Sequence, residues 1–169
     1  MLEQKLNALG IPLRRPPRAI GSYSPIIKTG SLLFVSGQLP VELGSNPPNV
    51  LYKGKIGNEI SLSNGKEAAR LCTINALMHL KDFLPSLDNI EKFVKLTGYV
   101  NCDISFTNHP EVINGASDLL VQLFGQKGRH SRVSVGISSL PLNSAVEIDF
   151  IVEVGTWACE RGTKLHHKI

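Results

Sequence analysis

Residues 131–154 read SRVSVGISSLPLNSAVEIDFIVEV, and this stretch indicates a fold that contains a β-sheet. Two runs within it, Arg132–Ile137 and Ala145–Val154, alternate apolar and polar side chains with period 2, which is the pattern of strands with one buried face. The five residues Ser139-Leu140-Pro141-Leu142-Asn143 join the two runs and carry turn-forming residue types. The sequence therefore predicts a pair of strands here, joined as a hairpin.

A second predicted hairpin lies upstream. Residues 24–29 and 32–36 are strand-like and flank Gly30-Ser31, which is a turn signal. The stretch from Val41 to Ser61 is rich in glycine and proline and lacks periodicity, so it is expected to be an irregular surface excursion. Residues 2–9 predict a short amphipathic helix that acts as a lid or a staple.

Two long helices are predicted between the hairpins. From Leu62 onward apolar residues recur at three- and four-residue steps through Phe83, with Ser61 or Ser63 as the N-cap. Residues 108–124 repeat this pattern and form the second helix. Between the helices, one more strand is expected over residues 93–101, with its buried face formed by Val94, Leu96 and Val100. The expected order is ββαβαββ, an α+β sheet with both helices on one face.

Composition narrows the class of protein. The chain has 169 residues, 42% of them hydrophobic, which is typical of a single domain. We expect this domain over residues 18–155, preceded by an extension (1–17) and followed by a tail (156–169). The net charge of +4 is too small and scattered to favour nucleic-acid binding. Three widely spaced cysteines fit neither a disulfide framework nor a zinc site. Without a signal peptide or an apolar stretch of ~18 residues, an intracellular, cytoplasmic protein is expected.

Arg132 is the leading candidate for a binding residue. Period 2 places Arg132 and Ser134 on one face of their strand, and a tight hairpin is expected to bring Glu147 close to them. A guanidinium matches a carboxylate bidentately, and a nearby carboxylate can orient or deprotonate a water molecule. The alternative is a plain ion pair between Arg132 and Glu147.

The histidines are weaker candidates. His130 stands two residues before Arg132, where it could be a general base, a phosphate contact or neither. For His79 and His109, within and at the start of predicted helices, packing or capping suffices, and His166-His167 in the tail would bind metal only adventitiously. No phosphate-binding loop, dinucleotide fingerprint or metalloprotease motif is present in the sequence.

Four segments together resemble the reactive-intermediate deaminase (Rid, YjgF-like) family over roughly residues 18–155. These segments are AIGSYSP at 19–25, LFVSGQLP at 33–40, RVSV at 132–135 with Leu140-Pro141, and VEI at 146–148. Further stretches, such as GRHSR at 128–132, are similar to a bacterial-type subgroup with a longer loop.

The resemblance implies a chorismate-mutase-like fold, a homotrimer whose sheets line a central barrel, clefts between adjacent subunits, and no cofactor or metal. It implies hydrolysis of 2-enamine or 2-imine intermediates to 2-keto acids, with Arg132 holding the carboxylate and Glu147 positioning the water. Tyr23 would contact the substrate, and Ser36 and Asn114 would line the site. Ser134 stands where those deaminases commonly have cysteine, and would still offer a hydrogen bond to substrate or water.

Two other functions stay open. The chain could be a non-catalytic module that binds or senses 2-keto acids and related small carboxylates. An endoribonuclease, as some family names suggest, has less support, because scattered histidines would have to supply its acid-base pair. Of the three functions, the deaminase is the leading hypothesis.

Overall fold

The computed structural model describes residues 2–16 and 21–155. Its helices are α1 (Leu2–Ala8), α2 (Leu62–Phe83) and α3 (His109–Phe124). Its strands are β1 (Ile26–Thr29), β2 (Leu32–Gln38), β3 (Ile90–Asn101), β4 (Ser131–Ile137) and β5 (Val146–Val154). After α1, the predicted order ββαβαββ is confirmed. The predicted tail at 156–169, with its two histidines, lies outside the described residues, as do residues 17–20.

Helix α2 begins as predicted and packs along most of its length. The Ser61 hydroxyl accepts from the Asn64 backbone N–H at 3.2 Å, which satisfies one free donor of the first turn. The predicted apolar positions from Ala69 to Leu80 are fully buried. Phe83 is 43% exposed, so its placement in the packed stripe is wrong: the helix ends there, and buried Leu84 follows it into the core.

Strand β3 begins three residues earlier than predicted and changes phase near its start. Its register with β5 shifts between Phe93 and Lys95. Phe93 is buried as a result, with its ring centroid 6.1 Å from that of Phe150, while Val94 is only half-buried. The prediction that Val94 belongs to the buried face is wrong because this irregularity moves the alternation by one residue.

The sheet has the strand order β1-β2-β5-β3-β4. The first hairpin is confirmed, because β1 and β2 pair antiparallel and Thr29 lies opposite Leu32 across the Gly30-Ser31 turn. The predicted hairpin between β4 and β5 is wrong: β4 pairs parallel with β3 at the edge of the sheet, and β5 lies between β2 and β3. The physical reason is α3, because a helix between two strands forms a crossover that sets them parallel.

Both long helices cover the same face of the sheet, as predicted. The side chains of β5 that point to them, from Val146 to Val154 in steps of two, are each at most 3% exposed. The opposite face carries no helix in the described chain, and its apolar side chains are partly exposed. The most exposed are Ile27 (55%), Phe34 (42%), Val133 (42%) and Val135 (38%).

Helix α1 acts as a staple on this core. Leu2, Leu6 and Ile11 are buried in the same cluster as the strands and long helices. The Lys5 ammonium donates to the Leu123 carbonyl at 3.0 Å, near the end of α3. None of the helices within residues 2–16 and 21–155 has the length and hydropathy needed to cross a membrane.

Candidate active site

The Arg132 side chain lies on the helix-covered face of the edge strand β4, against α3. Its Nη1 donates to Asn114 Oδ1 at 2.8 Å and to Ser117 Oγ at 3.1 Å. Both acceptors come from one face of α3, because residues three apart on a helix are neighbours. Nη1 carries two hydrogens, and both are used. Within the described chain no hydrogen bond uses Nε or Nη2, so this edge of the guanidinium can receive a carboxylate bidentately.

The acceptors of Arg132 are themselves held. Asn114 Nδ2 donates to Glu111 Oε2 at 3.2 Å, and the other oxygen of Glu111 pairs with Lys66 of α2 at 2.9 Å. The hydrogen bond from Lys66 lowers the pKa of Glu111, so this carboxylate is charged at neutral pH. On the other side, Ser117 Oγ lies 3.0 Å from His130 Nε2. Asn114, predicted as a site residue, thus contacts Arg132 directly, whereas Ser117 was not predicted.

Ser134 follows Arg132 on the same face of β4. Its Oγ is buried and has no hydrogen-bond partner among the residues that the structure describes. A buried hydroxyl without a partner is costly, on the order of 1–3 kcal/mol. A ligand held by Arg132 could supply the missing partner.

The thiol of Cys102 contacts the imidazole of His109 beside Gly136, which follows Arg132 and Ser134 on the same face of β4. Cys102 Sγ lies 3.4 Å from His109 Nε2, and both atoms face the bare Cα of Gly136, where any side chain would collide with them. Burial raises the pKa of Cys102, which keeps the thiol protonated and weakly nucleophilic. The position of His109 at the start of α3 was predictable, but no local pattern in the sequence indicates that His109 contacts Cys102.

A second cluster lies on the sheet face without helices and consists of Glu147 with Ser36 and Gly37 near the end of β2. The Glu147 carboxylate lies against Gly37, where a Cβ would overlap it. Ser36 Oγ donates to the Ser24 carbonyl at 2.9 Å, and Tyr23, which precedes Ser24 in sequence, is 50% exposed. Burial raises the pKa of the Glu147 carboxyl, and the charge of Asp149 raises it further. A carboxylate with a raised pKa is a better proton acceptor at neutral pH.

The two clusters do not meet within one chain. Tyr99 of β3 stands between them, in register with Glu147 on one side and Val135 on the other, and Arg132 points to the opposite face. The expectation that a hairpin would bring Glu147 beside Arg132 and Ser134 is therefore wrong, because β3 separates β4 from β5. The alternative of an ion pair between Arg132 and Glu147 fails for the same reason.

Comparison with known proteins gives matches over nearly the whole described chain. The family model described as "YjgF/chorismate_mutase-like, putative endoribonuclease" matches residues 3–154. Protein TCP17 of Trypanosoma cruzi is 37% identical over 150 residues, which cover 88% of this chain and 91% of that protein.

Two solved structures are also similar. One is that of Atu1372 from Agrobacterium tumefaciens, a protein of unknown function, with 38% identity, a TM-score of 0.81, and coverage of 91% of this chain and 92% of that one. The other is a "putative endoribonuclease" from Shewanella oneidensis MR-1, with 37% identity, a TM-score of 0.85, and coverage of 91% and 99%.

Proposed function

Because the chain belongs to the Rid/YjgF family and has its chorismate-mutase-like α+β fold, we propose that it binds small carboxylates. The proposed ligands are short 2-imino and 2-keto carboxylates, and Arg132 binds them. We further propose that the protein hydrolyses the imino forms to 2-keto acids and ammonia. The observation that carries the proposal is the Arg132 guanidinium, which Asn114 and Ser117 hold on one side so that Nε and Nη2 remain for a ligand.

The site requires a second copy of the chain. Arg132 and Glu147 lie on opposite faces of one sheet, so a substrate that contacts both must lie between subunits. The sheet face without helices carries Phe34, Val133 and Val135, which are exposed in the single chain and suit burial against further copies. The family resemblance favours a trimer whose sheets form a central barrel.

In the proposed reaction, the substrate carboxylate binds the Nε and Nη2 edge of Arg132, and the imine carbon faces a water molecule held by Glu147. The water oxygen adds to the imine carbon while Glu147 accepts one water proton, and the imine nitrogen takes a proton from solvent, which gives a neutral carbinolamine. Glu147 then returns its proton to the amine nitrogen as the C–N bond breaks and ammonia leaves. The carbinolamine hydroxyl loses its proton to solvent and becomes the keto group. Holding a short-lived electrophile beside an oriented water is the catalytic contribution of the site. Tyr23, Ser36 and Ser134 would line the cleft.

A binding or sensing module is the second candidate. The feature that favours it is Ser134, because a hydroxyl at this position removes any role that a thiol has in related deaminases, while the carboxylate-binding fork is intact. For an endoribonuclease, the described histidines offer little: His109 contacts Cys102, and His130 contacts Ser117 and the Gly128 carbonyl, so neither is paired with a second histidine for acid-base cleavage.

The deciding experiment generates 2-iminobutyrate in situ with an amino-acid oxidase and measures release of 2-oxobutyrate and ammonia. Wild type should accelerate release over buffer, Arg132→Ala should abolish it, and Glu147→Gln should lower it by ~10²–10⁴-fold while still binding 2-oxobutyrate. Binding without any turnover in wild type would replace the deaminase with the binding module. Unchanged 2-oxobutyrate affinity in Arg132→Ala would refute the proposed site.

Light scattering tests the assembly on the same samples. A mass of three chains at micromolar concentration is expected. A single-chain mass would contradict the shared site, since neither cluster alone contains both Arg132 and Glu147.

A further inference from the structure

A chain of hydrogen bonds leads from the backbone near the end of α3 to the Arg132 guanidinium. The His130 ring lies at its centre, with Nδ1 at 2.7 Å from the Gly128 carbonyl and Nε2 at 3.0 Å from Ser117 Oγ. Ser117 Oγ is in turn 3.1 Å from Arg132 Nη1. His130, Ser117 and Arg132 are all half-buried, so water competes only partly for these contacts.

With a neutral His130 ring, the donors and acceptors of this chain allow one arrangement of protons. A guanidinium can only donate, so Ser117 Oγ accepts from Arg132 and keeps one hydrogen to give. A backbone carbonyl can only accept, so His130 carries its proton on Nδ1 and directs it to Gly128. With a neutral ring, Nε2 is an acceptor for the Ser117 hydroxyl. Burial lowers the pKa of His130, and the charge of Arg132 lowers it further, both of which favour this neutral form.

We propose that His130 is a positioning residue for Arg132: its Nε2 accepts a hydrogen bond from the Ser117 hydroxyl, and this turns a Ser117 lone pair toward Nη1. The guanidinium plane is then fixed with its Nε and Nη2 edge ready for a carboxylate. This inference rests on the proposed function of Arg132 and adds the residue that prepares it. Pre-ordering a long side chain removes an entropy cost that the ligand would otherwise meet on binding, worth roughly 3- to 10-fold in Kd.

Titration calorimetry with 2-oxobutyrate tests the inference on the full-length protein. His130→Ala and Ser117→Ala should each weaken binding by roughly 3- to 10-fold. The double variant should be no weaker than Ser117→Ala, because residues that act through one chain are not additive. His130→Gln places an amide oxygen near the former Nε2 and should restore part of the affinity. Additive losses, or an unchanged Kd in both single variants, would overturn the proposal.

Ser131→Ala is the matched control. It removes the same group as Ser117→Ala and lies between His130 and Arg132 in sequence, but its hydroxyl donates to the Val94 carbonyl at 2.8 Å. Its Kd should stay within about twofold of wild type, since it removes no contact to the guanidinium. A loss as large as that of Ser117→Ala would mean that any disturbance of β4 weakens binding, and the positioning role would be rejected.

A second measurement needs no ligand and separates this inference from the proposed function. In ¹⁵N NMR spectra of wild type, the His130 ring should be in the Nδ1–H form, and the Arg132 Nη protons should give separate, slowly exchanging signals. The Nη signals should merge in His130→Ala and remain separate in Ser131→Ala. If wild type binds no 2-oxobutyrate, the proposed function fails and these signals alone decide the positioning role. An Nε2–H ring, or unmerged signals in His130→Ala, would refute it.

Discussion

Gly115 lies where α3 crosses α2, and Gly115→Ala tests whether this crossing holds the partners of Arg132 in place. A Cβ on Gly115 would overlap the Lys66 carbonyl oxygen of α2, with the carbonyl carbon at 2.8 Å and the Cα at 3.0 Å. Carbon atoms in ordinary contact are ~3.5–4.0 Å apart. Because the atoms on the α2 side are backbone, no rotamer change can relieve the overlap, and the helices must separate.

Two effects of this substitution oppose each other. Alanine is favoured over glycine in a helix interior by about 1 kcal/mol. Overpacking costs ~1–3 kcal/mol, and a contact with rigid backbone belongs at the upper end of that range. We therefore expect Gly115→Ala to lower the free energy of unfolding by about 2 kcal/mol, or Tm by roughly 4–8 °C in a chain of this size. The shift of α3 should also move Asn114 and Ser117 and weaken 2-oxobutyrate binding.

Urea denaturation at one fixed protein concentration measures the effect, because the stability of an oligomer depends on concentration. Gly65→Ala in α2 is the matched control: its Cβ would meet the Ile56 Cδ1 methyl at 2.6 Å, the end of a side chain that can rotate. The control should stay within about 1 kcal/mol of wild type. If Gly115→Ala were more stable than wild type, as helix propensity alone requires, the crossing would not be tight and the reasoning would be refuted.

Three further predictions concern stability and reactivity. Leu6→Ala should lower the free energy of unfolding by about 2–3 kcal/mol, since Leu6 is 2% exposed, and unchanged urea unfolding would show that α1 is not a staple. Burial lowers the pKa of His79, so on acidification below about pH 6.5 the unfolded chain binds a proton at His79 before the folded chain does. The free energy of unfolding measured in urea should therefore fall from pH 7 to pH 5, and it should fall less in His79→Gln. Burial raises the pKa of Cys102, so iodoacetamide at pH 7.5 should alkylate Cys102 much more slowly in the folded protein than in protein unfolded in urea, as measured by mass spectrometry. Equal rates in the two states would contradict its burial.

The sequence predicted the elements well because their signals are local. The alternation in β5 and the three- and four-residue steps in α2 depend on neighbours within one element. Both match the buried positions, except for Phe83 at the end of α2, which is exposed. The errors have non-local causes. Val94 was assigned to the core because alternation assumes a regular strand, and the register shift beside Phe93 comes from pairing with β5.

The candidate site was predicted only in part, because contacts between different elements leave no local signal in the sequence. Arg132 was predicted from its place in the alternating strand and from the family resemblance, and Asn114 from the resemblance alone; the structure shows a hydrogen bond between their side chains. Ser117 and His130 were not joined to them, because the rotation of α3 over β4 decides which side chains meet. A partial signal existed: Ser117 lies three residues after Asn114, which places both on one helix face.

The sequence contains a signal against the predicted hairpin between β4 and β5. In both β4 and β5, apolar and polar side chains alternate, but the side chains that point to the helices differ between the two strands. Those of β5 are wholly apolar, from Val146 to Val154, whereas those of β4 are Arg132, Ser134 and Gly136. Burying a charged side chain between a helix and the middle of a sheet is costly, and an edge strand leaves such a side chain within reach of solvent or a ligand. The side chains of β4 therefore indicate an edge strand, and the helix between β3 and β4 makes it parallel to β3. Glu147 on the central β5 is then separated from Arg132 by β3, and a shared site needs a second subunit.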